Sequence, residues 1–242
     1  MILFLELAKL RRTGYFSTLI CCALLSAMIP AANTGFRPET FAALPGNPVS
    51  VLLDANWEMM TMLTVLFAVA GACLMYHTEY SDRALQKMAV LPVSGMGIFL
   101  GKCLILALSA ALVILAGCAS CFFCSLRWFS APPDVTGLLL PQGGFSVITI
   151  LPFVVLMLMI ASVCSNMWVP LGIGVLFIFA ETMMRSGGFA LRLLPFALPY
   201  QLLEDLTDSQ ALVCAGVCAG ELLILGLAAL TLQSARVRRN MA

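Results

Sequence analysis

The residues best suited to recognition lie in one charged segment between two long apolar stretches. Glu79, Arg83 and Lys87 follow at intervals of four, so on a helix they form one charged stripe. A second, apolar stripe lies on another face of the same helix and consists of Ala84, Leu85, Met88 and Leu91. We expect a helix over Asp82–Val90, ended by Pro92, that lies under a membrane and docks into a soluble partner. The competing interpretation is a solvated loop that only joins two spans.

A single acid interrupts the last apolar stretch of the chain. Glu221 has no basic residue within one helical turn of it. An ionisable side chain inside a membrane is costly unless it faces protein or water. Two roles for Glu221 therefore stay open, contact with a cationic substrate in a cavity or a bond to a neighbouring helix. Glu181 lies four residues before Arg185, a spacing that favours a structural ion pair.

Other patterns that look like cofactor motifs fail on their spacing. Cys118, Cys121 and Cys124 are spaced like part of an iron–sulfur site, but no fourth Cys or Pro follows, and packing between helices explains them. The Gly-Lys pair at 101–102 is no phosphate-binding loop, because Met96 stands where the first glycine is required. The sequence contains no Ser/His/Asp set and no zinc motif, so we expect no catalytic residue, cofactor or metal on this chain.

These residues need a scaffold, and the composition predicts that the scaffold lies in lipid. The chain has 242 residues, of which 62% are hydrophobic and 10% charged, and its mean hydropathy is +1.03. A soluble domain is about 45–50% apolar and about 25% charged. This composition excludes a soluble enzyme, and the length leaves no room for a fused catalytic domain beside the spans. The formal net charge of +1 gives no indication of nucleic-acid binding.

Apolar stretches of spanning length predict an all-α polytopic membrane protein, with one transmembrane domain over 1–242 and six transmembrane helices. A turn signal over Ser165–Pro170 divides the longest stretch into two spans. Before the first span we expect an amphipathic helix at the membrane interface, over residues 1–13. The six predicted spans are Gly14–Ala32, Trp57–Tyr76, Ile98–Leu126, Phe145–Ser165, Met167–Met184 and Ala211–Leu232.

The distribution of basic residues predicts how the spans are oriented. With the N-terminus in the cytoplasm, nine of the thirteen Lys and Arg residues lie on the cytoplasmic side and four lie outside. The positive-inside rule therefore places both termini in the cytoplasm. Trp57, Trp128 and Trp168 lie near predicted membrane–water interfaces, as expected of an aromatic belt.

The predicted cytoplasmic loop, 77–97, together with the entry to span three, resembles the corresponding region of the membrane subunits of ABC-2 type exporters. In that family a Glu ends span two, a short coupling helix and a Leu-Pro-Val-Ser type turn follow, and a Gly-Lys pair enters span three. The matching parts here are Glu79 and the segments 82–90, 91–94 and 101–102. The resemblance implies that the coupling helix inserts into a separately encoded ABC ATPase. The ATPase-coupling residues that it implies are Glu79, Asp82, Arg83, Leu85, Lys87, Leu91 and Pro92.

The resemblance also covers the topology. It implies the ABC-2, type V exporter-like permease fold, with an N-terminal interfacial helix and outer re-entrant helices between spans five and six. Segment 185–210 fits the re-entrant pair, because it is apolar, too short to cross twice, and broken by Pro195 and Pro199. The coupling segment departs from many members at 83–85, where they have Gly or Ser-Gly-Thr.

From this resemblance we expect a permease subunit in the bacterial plasma membrane that pairs with a second permease and binds an ABC ATPase. ATP, Mg and hydrolysis then belong to the partner chain. The short length and compact outer loops look most like lantibiotic-immunity permeases, which would move an amphipathic peptide out of the membrane, with Glu221 as a candidate residue of the substrate pathway. The alternatives are export of another lipophilic drug or lipid, a non-ABC secondary transporter, and a membrane assembly protein. An intramembrane enzyme is disfavoured because Glu181 and Glu221 lie at different depths.

Overall fold

The computed structural model describes residues 2–11, 13–81, 95–129, 134–184 and 187–241, and within these ranges all regular secondary structure is helical. The α-helices are α1 Ile2–Leu10, α2 Tyr15–Phe36, α3 Pro38–Ala42, α4 Pro48–Ser81, α5 Gly95–Trp128, α6 Leu140–Val163, α7 Trp168–Met184 and α8 Asp208–Met241. A π-helical turn precedes α6, and three 3-10 turns lie between α7 and α8. These short elements are Val135–Leu139, Phe189–Leu193, Leu198–Tyr200 and Leu203–Asp205.

Helices occupy all six positions where spans are predicted. In the described part of the chain, α2, α4, α5, α6 and α8 are long and apolar enough to cross a bilayer. The remaining helix, α7, is also apolar but has 17 residues, which extend about 26 Å against a hydrocarbon core of about 30 Å. The polytopic helical architecture is therefore confirmed. Six spans, both termini inside and an interfacial position for α1 stay predictions.

Three helices form the centre of the bundle. The buried share of the span is 67% in α4, 50% in α5 and 56% in α6, against 22% in α2 and 11% in α8. Glycine lets α4 approach its neighbours closely, because a Cβ atom at Gly117 of α5 would lie 2.4 Å from Met60. At Gly174 of α7 a Cβ atom would lie 2.4 Å from Val69, also on α4. Helix α4 is thus fixed against α5 on one side and against α7 on another.

The position of Trp57 differs from its prediction. Its side chain is only 3% exposed and packs inside the bundle, so its assignment to an aromatic belt is wrong. The reason is that α4 has the largest buried share of the candidate spans and Trp57 lies on the face of α4 that packs into the core. Trp168 is 66% exposed at the start of α7, as expected of a belt residue.

A proline in α6 is accommodated by a neighbouring helix. Pro152 has no N–H to donate to the carbonyl of Ile148 four residues earlier. The Cys218 thiol of α8 donates to that carbonyl, with Sγ 3.2 Å from the oxygen. Freed backbone groups in a membrane need such partners, and this one joins α8 to α6.

The segment between α7 and α8 folds back onto the bundle at one end. Gln142, which is buried near the start of α6, donates its Nε2–H to the carbonyl of Gln201 at 3.2 Å. Its Oε1 accepts from the N–H of Leu203 at 2.7 Å. Leu198 of this segment is fully buried. The segment is therefore anchored to α6 through one amide side chain, while its predicted re-entrant position in the membrane stays a prediction.

Candidate functional site

The predicted coupling residues fall at the boundary of the described structure. Glu79 lies in the last turn of α4, which ends at Ser81, and α5 begins at Gly95. Six of the seven predicted coupling residues lie outside the described residues, and these are Asp82, Arg83, Leu85, Lys87, Leu91 and Pro92. The structure therefore describes the two helical ends that flank this segment.

At these two helical ends, three charged side chains meet away from solvent. The residues are Glu6, Glu79 and Lys102, which are 3%, 2% and 1% exposed. Lys102 Nζ lies 2.6 Å from Glu6 Oε2 and 3.0 Å from Glu79 Oε1. The same ammonium group lies 3.5 Å from the Met75 carbonyl oxygen and 5.3 Å from the centre of the Tyr76 ring. Lys102 therefore links two carboxylates that come from different helices.

A fourth charge completes the arrangement, which we call the ionic cluster: Glu6, Lys9, Glu79 and Lys102. Lys9 Nζ lies 2.6 Å from Glu6 Oε1 and 4.0 Å from Glu79 Oε1, and its side chain is partly exposed. Two carboxylates thus face two ammonium groups, and the formal charge of the cluster is zero. Such balance is required because a buried unpaired charge is strongly destabilising.

Three elements position the ionic cluster. Glu6 and Lys9 lie three residues apart on α1, so they share one helical face. Glu79 ends α4, and Lys102 lies in the second turn of α5. The chain turns from α1 into α2 at Gly14, whose φ of +78° is readily adopted by glycine. This turn directs α1 back onto the ends of α4 and α5.

The protonation of Glu6 reflects the balance between burial and pairing. Burial by itself raises the pKa of the Glu6 carboxyl. The charges and hydrogen bonds of Lys102 and Lys9 outweigh burial and hold that pKa below its ordinary value of 4.5. Glu6 is therefore ionised at neutral pH, and the cluster contains true ion pairs.

A second contact fixes the end of α4 on its other side. The Tyr80 hydroxyl donates to the backbone carbonyl of Ser162. That carbonyl belongs to the last turn of α6, where carbonyl groups lack partners within the helix. The end of α4 is thereby joined to α1 and α5 through Glu79 and to α6 through Tyr80.

Sequence reasoning missed Glu6. In the first helix Leu3 and Leu7 are exposed, whereas Glu6 and Leu10 are buried. The available signal was the spacing of Glu6 and Leu10 by four residues, which places them on one face. Pairing with Lys102, however, joins residues 96 positions apart, and no local pattern predicts such a contact.

The two other acids singled out in the sequence lie away from the ionic cluster. Glu221 is partly buried on α8, and its Oε2 is buried with no hydrogen-bond partner in the described part of the chain. Glu181 is buried in the last turn of α7, and its predicted partner Arg185 lies outside the described residues. The role of Glu221 in a substrate pathway stays a prediction.

Comparison with known protein families gives a match over most of the chain. The model of the family described as ABC-2 family transporter protein matches residues 2–181, which is more than two thirds of the chain. The match begins at α1, includes all four residues of the ionic cluster and ends in α7. No curated protein and no solved structure matches the chain.

Proposed function

Since the chain belongs to the ABC-2 family of transporter proteins, we propose that it is the permease subunit of an exporter driven by a separately encoded ABC ATPase. The family is a membrane transport component that works with such an ATPase. The ionic cluster is the observation that supports a coupling mechanism for this chain. It joins the two helical ends that flank segment 82–94 to a third helix, α1.

Segment 82–94 is the part of the chain on which the ATPase acts. Glu79 lies three residues before this segment and Lys102 eight residues after it. A displacement of the segment therefore reaches α4 and α5 close to the two residues that hold α1 through Glu6. Because the three charges are buried and in contact, separating them is costly, so α1, α4 and α5 move together.

The movement continues into the rest of the bundle through α4. Tyr80 holds the end of α6 by its hydrogen bond to Ser162, and Gly174 holds α7 in close contact with Val69 of α4. Closure of the ATPases upon ATP binding thereby changes the position of α4 relative to the ends of the other helices that lie opposite the ionic cluster. This rearrangement opens an outward or lateral path for the substrate.

The exported substrate is an amphipathic peptide such as a lantibiotic, and the protein gives self-protection to a bacterium that produces it. Two permease subunits, identical or different, form the pathway in the plasma membrane. Support for this pairing comes from α2 and α8, which present long apolar faces outside the bundle. Such faces suit contact with a second permease or with lipid.

Coupling is tested with the purified permease and its ATPase in lipid nanodiscs. We expect Glu79→Gln and Arg83→Glu to abolish stimulation of ATP hydrolysis, because the first unbalances the ionic cluster and the second reverses a charge in the predicted docking helix. Glu39→Gln removes a carboxylate from α3, far from the cluster in the sequence, and is the matched control. Thermal unfolding and gel filtration establish that each variant is folded and inserted. Wild-type ATPase binding and stimulation in both variants would contradict the proposal.

A further inference from the structure

A small cavity lies inside the bundle between α2, α4, α5 and α6, and we call it the internal cavity. Its polar lining consists of Ser26 from α2, of Trp57, Thr61 and Thr64 from α4, and of Ser146 from α6. The volume of about 10 Å³ is roughly the space that one water molecule needs. None of the described residues that line it is ionisable. The occupant of this cavity is therefore small, polar and uncharged.

Two buried donors on α4 line the internal cavity without an acceptor. Trp57 is 3% exposed and Thr61 is 5% exposed. The indole Nε1 and the threonine Oγ1 have no hydrogen-bond partner among the residues that the structure describes. The two residues are four positions apart, so they share one face of the helix. Because buried donors nearly always have an acceptor, this face indicates an acceptor within the cavity.

A proline in α2 leaves an acceptor at the same place. Pro30 has no N–H to donate to the carbonyl of Ser26 four residues earlier. Ser26 is 1% exposed and lines the internal cavity. A backbone carbonyl that is freed inside a membrane needs another donor, as the thiol of Cys218 provides beside Pro152 in α6. The cavity thus lies between two donors of α4 and a carbonyl of α2 that needs a donor.

The other hydroxyl groups of the lining donate within their own helices. Thr64 donates to the Met60 carbonyl at 3.1 Å, and Ser146 donates to the Gln142 carbonyl at 2.7 Å. Their oxygens can therefore still accept a hydrogen bond from a molecule in the cavity. The site as a whole offers donors as well as acceptors.

These groups select among the small molecules that could fill the space. A metal cation cannot accept a hydrogen bond from an indole N–H, and an anion cannot donate to a carbonyl. Either ion would also be buried without a balancing charge in the lining, which is costly. Water accepts and donates two hydrogen bonds each, so it matches the donors of α4 and the acceptor of α2 together.

We propose that the internal cavity binds one water molecule that joins the proline kink of α2 to α4. The water accepts from the Trp57 Nε1–H and the Thr61 hydroxyl and donates to the Ser26 carbonyl that Pro30 leaves free. A bridging water is nearly as favourable as a direct hydrogen bond. It satisfies the interrupted backbone of α2 without a side chain from a neighbouring helix. This site goes beyond the proposed function and does not depend on the substrate.

The test is radiolytic footprinting of the full-length permease in lipid nanodiscs without ATPase. An X-ray pulse splits a bound water in place, and the hydroxyl radical that forms oxidises the side chains beside it. Trp57 and Met60 line the cavity and are oxidisable, although both are buried. Met157 of α6 is 0% exposed and lies outside the lining, so it is the internal control. We expect the two cavity residues to oxidise at least about 5-fold faster than Met157, because the bound water is their radical source.

Two variants remove partners of the water without removing an oxidisable residue. Thr61→Val deletes the hydroxyl with little change of volume, and Pro30→Ala returns an N–H to the Ser26 carbonyl. Each leaves the water with one partner fewer, so oxidation of Trp57 and Met60 should fall at least about 3-fold in both variants. Tandem mass spectrometry measures the oxidation, and thermal unfolding establishes that each variant is folded.

Thr149→Val is the matched control. Thr149 is also fully buried, but its hydroxyl donates to the Ser146 carbonyl of its own helix and does not line the cavity. This variant should keep the wild-type oxidation of the two cavity residues.

Three outcomes would overturn the water site. The first is oxidation of the two cavity residues at the rate of Met157 in the wild type. The second is an unchanged rate in Thr61→Val or in Pro30→Ala, and the third is an equal fall in Thr149→Val, which would indicate a general loosening of the bundle. The ATPase is absent from this assay, so its outcome is separate from that of the coupling test.

Discussion

The two ends of the bundle treat buried polar groups in opposite ways. At the ionic cluster, Glu6 and Glu79 each have an opposite charge within 3.0 Å, supplied by Lys102. At the other end a small polar cavity is lined by Glu181, Arg192, Tyr200 and Gln201, and there Tyr200 and Arg192 each keep a buried donor without an acceptor in the described structure. The paired end is thus suited to transmitting force, whereas the two donors of the unpaired end link no helices within the described residues.

Removing Lys102 tests the difference between the two ends at the paired end, where we expect the larger loss of stability. In Lys102→Met the carboxylates of Glu6 and Glu79 lose their shared cation, and we expect a loss of about 3–5 kcal/mol in unfolding free energy. Arg192→Met, at the unpaired end, should cost below about 1 kcal/mol. Unfolding of the two variants in detergent measures both losses of unfolding free energy. Equal losses in the two variants would show that the ends do not differ.

A triple variant tests whether the charges of the ionic cluster serve stability or coupling. Glu6→Gln, Glu79→Gln and Lys102→Met together leave no uncompensated buried charge, so most of the lost stability should return. Stimulation of the ATPase should stay absent. Recovery of both properties would mean that the cluster only maintains the fold.

Gln142 offers an intermediate effect at the unpaired end. Gln142→Leu removes the bonds to Gln201 and Leu203, so we expect the segment that carries Tyr200 to open locally, at a cost of about 1–3 kcal/mol. Hydrogen exchange at the Leu203 amide should then accelerate by about 10-fold or more. Gln210→Leu, at the start of α8, is the control and should leave that amide unchanged. Unchanged exchange in Gln142→Leu would show that other contacts anchor the segment.

The smallest effect is expected on the melting temperature when the pH is lowered. The pKa of Glu6 is held below 4.5, so its ionised form stabilises the fold above that value, and this contribution is lost as pH falls through the lowered pKa. The melting temperature of the wild type should therefore exceed that of Glu6→Gln at neutral pH, and the difference should shrink only below pH 4.5. A difference that already shrinks between neutral pH and that value would mean that burial dominates the carboxyl and that its pairing is weak.

Hydropathy predicts where helices cross lipid but not where they end. The span predicted over Trp57–Tyr76 is part of a helix that runs from Pro48 to Ser81. Its polar ends, including Asp54 and Glu79, do not stop the helix, because backbone hydrogen bonds continue beyond the hydrocarbon. The apolar stretches therefore give the approximate positions of the six apolar helices, while the ends carry the charged residues of the ionic cluster.

The candidate site was predictable only in part. Glu79 attracts attention as an acid that ends an apolar span, and the structure places it in the ionic cluster. Glu6, the second carboxylate that contacts Lys102, reaches the cluster only because α1 folds back, and the polar cavity depends on 3-10 turns that bring Tyr200 to Glu181. Contacts between distant segments of the chain form both the ionic cluster and the polar cavity, and periodicity within one helix does not predict such contacts.

The short length of α7 has a consequence for the surrounding membrane. If α7 crosses the bilayer as predicted, its 17 residues, which extend about 26 Å, require local thinning of a thicker bilayer or snorkelling of the flanking side chains, at a modest cost for each ångström of mismatch. Lipids beside α7 would then be more deformed than those beside the five longer helices. Bilayer thickness would thus set how far the membrane deforms at this helix.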